Sequence, residues 1–227
     1  MQMRSSAEQH LRVSREIDDK VGIADGLWQM GESNVQLGDI ETGREYLEES
    51  LEMARQENFP NLIAGALMSL ARLARLDGDN SRAIELYREC AQIYGQMMAR
   101  GALAWTLRMW GQVLLQEQEP VEANELFEEC LAIYKDMRID EGQAVCLAGF
   151  AGVAGISRQD VKAARLDGAY IFYAEKYNFE ASDLFRQVHE SILAAVRERL
   201  GEDRFQAEWE AGQKLTLEQA LELAQQL

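Results

Sequence analysis

Proline, histidine and cysteine are nearly missing from this 227-residue chain, and each shortage sets aside a class of protein. With only Pro60 and Pro120, long helices can run without a broken hydrogen bond. Two histidines (His10, His189) and three cysteines (Cys90, Cys130, Cys146) form neither a CxxC pair nor an HExxH. Structural zinc and dithiol redox chemistry are therefore not expected. An odd cysteine count makes a poor disulfide framework and points to a reducing, cytoplasmic compartment. Positive charge is scarce too: 23 Lys and Arg against 39 Asp and Glu give a net charge of -16. Such a surface repels phosphate backbones and anionic headgroups, which argues against direct nucleic-acid or membrane binding. The longest small-apolar run, AVCLAGFAGVAGI at 144–156, is too short to span a bilayer. Residues 1–10 hold no apolar segment of the secretory kind.

Repetition is what the chain has in abundance. Ala24, Ala64, Ala104 and Ala144 recur every 40 residues, and so do Leu27, Leu67, Leu107 and Leu147. Gly31, Ala71, Gly111 and Ala151 follow four positions beyond each Leu. Gly43, Ala83, Ala123 and Ala163 come next, then Tyr46, Leu86, Leu126 and Leu166. Ser50, Cys90 and Cys130 share a further register. One period held over four copies is the mark of a repeat array. Apolar and small residues at 24, 27, 30 and 31, and at 64, 67, 70, 71 and 74, have helical spacing. Gly38-Asp39 and Gly78-Asp79 end one helix and start the next. Second helices are expected over about 40–57, 80–98 and 120–137, and no alternating β-pattern competes.

The expected architecture is all-α, with antiparallel helix pairs stacked into a superhelix and closed by a helical cap. Residues 1–21 form the second helix of a partial repeat, 22–176 about four 40-residue pairs, and 177–227 the capping helices. Leu11 and Val13 lie 40 residues before Leu51 and Met53, so the chain is expected to open inside a repeat, as a fragment would. In the cap, 180–200 reads as one helix with Phe185, Val188, Ile192, Val196 and Leu200 on a stripe. Thr216 and Gln219 form a capping box before a last helix.

The second unit aligns Leu67, Leu70, Ala71, Ala74, Ala83, Tyr87 and Cys90; the third aligns Leu107, Trp110, Gly111, Leu114, Ala123, Phe127 and Cys130. This pattern resembles the tetratricopeptide repeat, whose usual period is about 34 residues. The resemblance implies a right-handed superhelix. Asn34 and Asp167 depart from it, where apolar residues are expected. The phrases GDIETGREYLEESLEMAR and GDNSRAIELYRECAQIY, with RERLGEDRFQAEWEAGQKLTLEQALELA at 197–224, are more particular. They resemble the C-terminal 40-residue repeats of large bacterial signal-transduction ATPases, including LuxR- and AfsR-like transcriptional regulators.

Nothing in the sequence has the form of a catalytic motif or a phosphate loop, so the chain is read as non-catalytic and without a cofactor. His10 and His189 read as solvated helix residues, and the cysteines as small apolar packers. The resemblance implies that the first helix of each pair lines a concave groove. The inward positions are Trp28, Glu32 and Val35; Met68, Arg72 and Arg75; and Arg108, Gln112 and Leu115, with Asp25 and Trp105 one turn earlier. Arg beside exposed Trp is the composition of interaction hot spots and would suit an acidic peptide or protein segment. The competing reading pairs Arg72 with Glu32 and uses the tryptophans to fill core gaps. In the fourth unit, Val145, Ala148, Gly152 and Gly155 offer no polar group. Helix 142–156 should then be covered by the 180–200 helix, confining a ligand to the first three units. Glu45, Glu85 and Glu125, with Glu49, Glu89 and Glu129, form an acidic ridge read as a solvated face. The expected function is that of a protein-interaction or sensor domain of a bacterial signalling or transcriptional regulator. A free-standing adaptor and a small-molecule effector domain stay open as alternatives. An unpaired first helix would leave an apolar edge for a homodimer.

Overall fold

Helices of seventeen or eighteen residues make up most of the chain, separated by turns of two or three residues. The computed structural model describes residues 2–179 and 183–227, with side chains from Ser6 onward apart from 180–184. Among the described residues there are twelve helices and no strand. The chain divides into two compact units, Met1–Ala99 and Arg100–Leu227. The first holds α1 (Gln2–Glu16), α2 (Lys20–Gln36), α3 (Ile40–Gln56), α4 (Pro60–Leu76) and α5 (Asn80–Gln96). The second holds α6 (Arg100–Gln116), α7 (Pro120–Met137), α8 (Asp140–Ile156), α9 (Asp160–Tyr177), α10 (Asp183–Leu200), α11 (Glu202–Gln213) and α12 (Leu217–Ala224). Residues 180–182 of the expected 180–200 helix, like Met1, lie outside the described residues.

The turns obey a shorter period than the residues do. A left-handed residue stands every 20 positions, at Asp18, Gly38, Asn58, Gly78, Met98, Gln118, Arg138, Arg158 and Asn178, with φ from 53 to 86°. After each, a backbone N–H reaches back to an otherwise orphaned helix carbonyl: Asp39 to Asn34 (2.9 Å), Asp79 to Ala74 (2.9 Å), Ile139 to Tyr134 (3.0 Å). Gly38 and Gly78 announce these turns most plainly by residue type, because glycine adopts that conformation without strain, and Asp18, Asn58 and Asn178 are of the types that follow it there. The helices that follow start with ordinary caps. Asp39 and Asp79 accept from the Thr42 and Arg82 amides at 3.4 and 3.0 Å, Pro60 and Pro120 fill first-turn positions, and Thr216 with Gln219 closes the expected capping box.

One hydrogen bond explains the shared register of a serine and two cysteines. Ser50 Oγ donates to the Ala24 carbonyl at 2.8 Å, Cys90 Sγ to Ala64 at 3.4 Å, and Cys130 Sγ to Ala104 at 3.1 Å. Each ties the second helix of a pair to the first. A neighbouring repeat position supplies the fully buried Leu47, Tyr87 and Phe127, and then, against the pattern, Asp167. Missing Cβ atoms set the closest crossings. On Gly111 of α6 or Gly149 of α8, a Cβ would stand 2.8 or 2.5 Å from the Phe127 ring, so that ring lies sunk between the two helices.

Within the second unit, α10 packs on α8 and α9, and α11 packs along α9. A Cβ on Gly155 would meet Ile192 Cγ2 at 2.6 Å, and Arg199 Nη2 donates to the Gly155 carbonyl at 2.8 Å. Arg199 Nε also donates to Asp160 at 2.9 Å. These contacts fasten α10 over the C-terminal half of α8. No described helix is long and apolar enough to cross a membrane.

Candidate functional site

Leaving aside Val35 and Leu115, the other nine inward positions named from the sequence fall into two groups. Six belong to the first unit, where most of them are bound into its own packing. Trp28 Nε1 donates to Ser69 Oγ at 3.1 Å. Arg72 Nη2 reaches both oxygens of Glu32 at 2.8 Å, the pairing that the sequence left as the alternative to ligand binding. Asp25 accepts from Gln29 at 2.7 Å and lies 3.6 Å from His10 Nδ1. Arg75 is 4 % exposed, with its guanidinium beside the Tyr87 hydroxyl; burial pushes the Tyr87 pKa up and Arg75 draws it down. Met68 is half-buried on the same helix. The acidic ridge is partly neutralised as well. Arg55 takes both oxygens of Glu89 at 2.6 and 2.7 Å, Arg15 lies 3.6 Å from Glu49, and Arg82 meets Glu85 at 3.0 Å.

The remaining three, Trp105, Arg108 and Gln112, face a cavity of about 450 Å³ in the second unit. They sit on α6 at steps of three and four residues, so their side chains share a face. Tyr134 of α7 and Glu141, Val145, Ala148 and Gly149 of α8 complete the walls, with Phe127 and Phe185 among the aromatic side chains lining it. Trp105 is 40 % exposed, whereas Gln112 is 3 % exposed. Two buried polar atoms here have no hydrogen-bond partner: Arg108 Nε and Gln112 Oε1. Such atoms cost on the order of 1–3 kcal/mol each when left dry, so they mark a place where something else could supply the partner. Arg108 acts on the tyrosines around it. Burial, then the neighbouring Cys130, pushes the Tyr134 pKa up to about 12, and the Arg108 charge pulls against that rise. The same charge opposes the burial-driven rise at Tyr170.

The fourth-unit positions thus have a different role from the one expected. Val145 and Ala148 are wall residues of the cavity, to which α10 contributes Phe185 while Ile192 packs against Gly155 at the other end of α8. The cavity therefore spans the third and fourth repeats.

His189 is buried, not the solvated residue that its place in a helical run suggests. It is 6 % exposed, and its Nε2 lies 2.7 Å from Asp167 Oδ1, while Trp209 Nε1 donates to Asp167 Oδ2 at 2.8 Å. The buried stripe of α10 runs through Phe185, His189, Ile192 and Val196, with Val188 only half-buried. The signal was present: His189 is four positions from Phe185 and three from Ile192, and Asp167 breaks the apolar pattern. Among the described residues no group of three or more His, Cys, Asp or Glu side chains could hold a metal.

Comparison with known proteins agrees with the helical repeat. Residues 22–96 match the tetratricopeptide repeat family. The fold is similar to that in the crystal structure of BtubC (BKLC) from P. vanneervenii, with a TM-score of 0.67 over 97% of this chain and 91% of that one. At 16% identity the likeness is one of fold alone. No curated protein matches the chain.

Proposed function

We propose that the chain is a non-catalytic protein-interaction domain that takes an extended, acidic peptide segment of a partner into the α6–α8 cavity. The observation that carries this reading is the unpaired couple on α6. Arg108 Nε is a donor and Gln112 Oε1 an acceptor, four residues apart and so about 5–6 Å apart at Cβ. One residue of an extended chain presents a C=O and an N–H that could satisfy both. Trp105 offers an exposed ring beside them, and the Arg108 charge favours an acidic neighbour on the segment.

The resemblance of the repeats and tail to bacterial signalling ATPases and transcriptional regulators supports a cytoplasmic sensor role, with binding biasing an effector module. Val13, Ile17 and Val21 are exposed apolar residues near the N-terminal edge and support a homodimer there, without direct contact to nucleic acid or membrane. The test is fluorescence anisotropy against an array of extended peptides with acidic and aromatic residues. The expected binder weakens about tenfold or more in Arg108→Leu and in Gln112→Leu, the range for losing a buried hydrogen bond to a charged or well-packed group. Arg72→Leu should leave its affinity unchanged. Equal loss in Arg72→Leu, or none in the α6 variants, would remove the cavity from the reading.

A further inference from the structure

The second unit contains a larger cavity that the peptide reading does not use. It measures about 1000 Å³ and is bordered by α9, α10 and α11. Ile171, Ala174, Leu193, Ala194 and Phe205 give it an apolar wall, and the Asp167–His189–Trp209 cluster lies at its side. At the repeat position of Asp167 the preceding units bury Leu47, Tyr87 and Phe127. A leucine there would need no partners. An aspartate demands two, and it has them in the imidazole and the indole.

That arrangement determines what the imidazole can do. Trp209 Nε1 is only a donor, so Asp167 acts as a pure acceptor through Oδ2. In the neutral imidazole the short contact at Oδ1 places the ring proton on Nε2, which leaves Nδ1 with its lone pair. Nδ1 is buried and has no hydrogen-bond partner. Phe185 stacks on the ring with centroids 5.2 Å apart, and Tyr170 meets it edge-on at 5.7 Å, so the ring is held in place by contacts that supply no donor. A mostly apolar hollow with one fixed, unsatisfied acceptor is the composition of a small-molecule site.

We infer that this cavity binds a lipophilic small molecule carrying a neutral hydroxyl donor, with the hydroxyl donating to His189 Nδ1 and the apolar body against α9 and α10. The two cavities adjoin through Tyr170, Phe179 and Phe185, but neither Arg108 nor Gln112 lines this one, so the α6 variants that test the peptide reading leave His189 Nδ1 untouched. The test uses the full chain and three probes of one shape: 1-naphthol, 1-methoxynaphthalene and 1-naphthoate. Calorimetry should show saturable binding of 1-naphthol, about fivefold to tenfold tighter than the methyl ether, as one neutral hydrogen bond allows. In His189→Leu that preference should vanish while the ether binds as before. Nitrogen NMR of the wild-type imidazole needs no variant: the Nδ1 resonance should shift with 1-naphthol and stay put with the ether. Equal affinity for alcohol and ether, a preference for 1-naphthoate, no saturable binding, or an unmoved Nδ1 resonance would each overturn the proposal.

Discussion

The two units use the same helix pair, and both leave buried polar atoms unpaired: Asn34 Oδ1 with Arg75 Nε and Nη2 in the first, Arg108 Nε, Gln112 Oε1 and His189 Nδ1 in the second. Only in the second do such atoms belong to residues that line the cavities described above. In Met1–Ala99 the large polar groups of the first helices mostly find one another: Glu32 meets Arg72 and Trp28 meets Ser69. In Arg100–Leu227 the matching face of α6 keeps Arg108 and Gln112 with unpaired buried atoms, and α10 carries a histidine with a free nitrogen. A repeat array gives every unit the same apolar scaffold, so differences in function must come from the few positions where the pattern is broken. Arg108, Gln112 and His189, which line cavities, belong to the second unit.

The largest test of that shared scaffold is Phe127→Ala. The ring is 1 % exposed and sunk between Gly111 and Gly149, neither of which has a side chain able to fill the gap. The expected loss is about 3–5 kcal/mol, read by denaturant unfolding. A loss below that of Leu47→Ala, at the same position of the first unit, would show that the second unit repacks more freely.

The contrast between the units is sharpened by two arginines. Arg72→Ala should destabilise by only about 0.5–1 kcal/mol, because its pair with Glu32 is partly solvated. Arg108→Leu should be neutral or stabilising by up to about 1 kcal/mol, since it removes an unsatisfied buried donor. Equal destabilisation by both would erase the difference. A similar magnitude is expected at the turns. Met98→Gly in the first unit, and Gln118→Gly or Arg158→Gly in the second, should each stabilise by about 0.5–1 kcal/mol by relieving left-handed strain. Thermal melts of the single variants check this, and Gly78→Ala should move the other way.

A further effect appears only at alkaline pH. Tyr134 titrates near 12 when folded and near 10 when unfolded, so the folded state holds its proton longer. Its contribution is complete below about pH 10 and is lost as pH rises toward 12. Tyr134→Phe should flatten that part of the stability curve. Tyr87 and Tyr170, raised by burial as well, keep some slope in place.

Much of this was legible in the residues. Helical spacing located the helices, and the 40-residue period aligned Ser50 with the two cysteines that make the same bond. Trp105, Arg108 and Gln112 were also identified as inward-facing, and the structure places them around one cavity. Asp167 stood out as a departure, although its partners did not. His189 and Trp209 lie 22 and 42 residues away along the chain, and no local pattern links them to it.

By itself the sequence determined the helix type, the 40-residue register and the apolar faces, because these follow from periodicity along one chain. Tertiary structure alone decided two things. It placed left-handed backbone at Met98, Gln118, Arg138 and Arg158, where residue type argues against it, because helices of fixed length must turn back at fixed intervals to bury their faces. And it decided which polar groups would be paired and which left open, because a hydrogen bond depends on a few tenths of an ångström between helices that are distant in sequence.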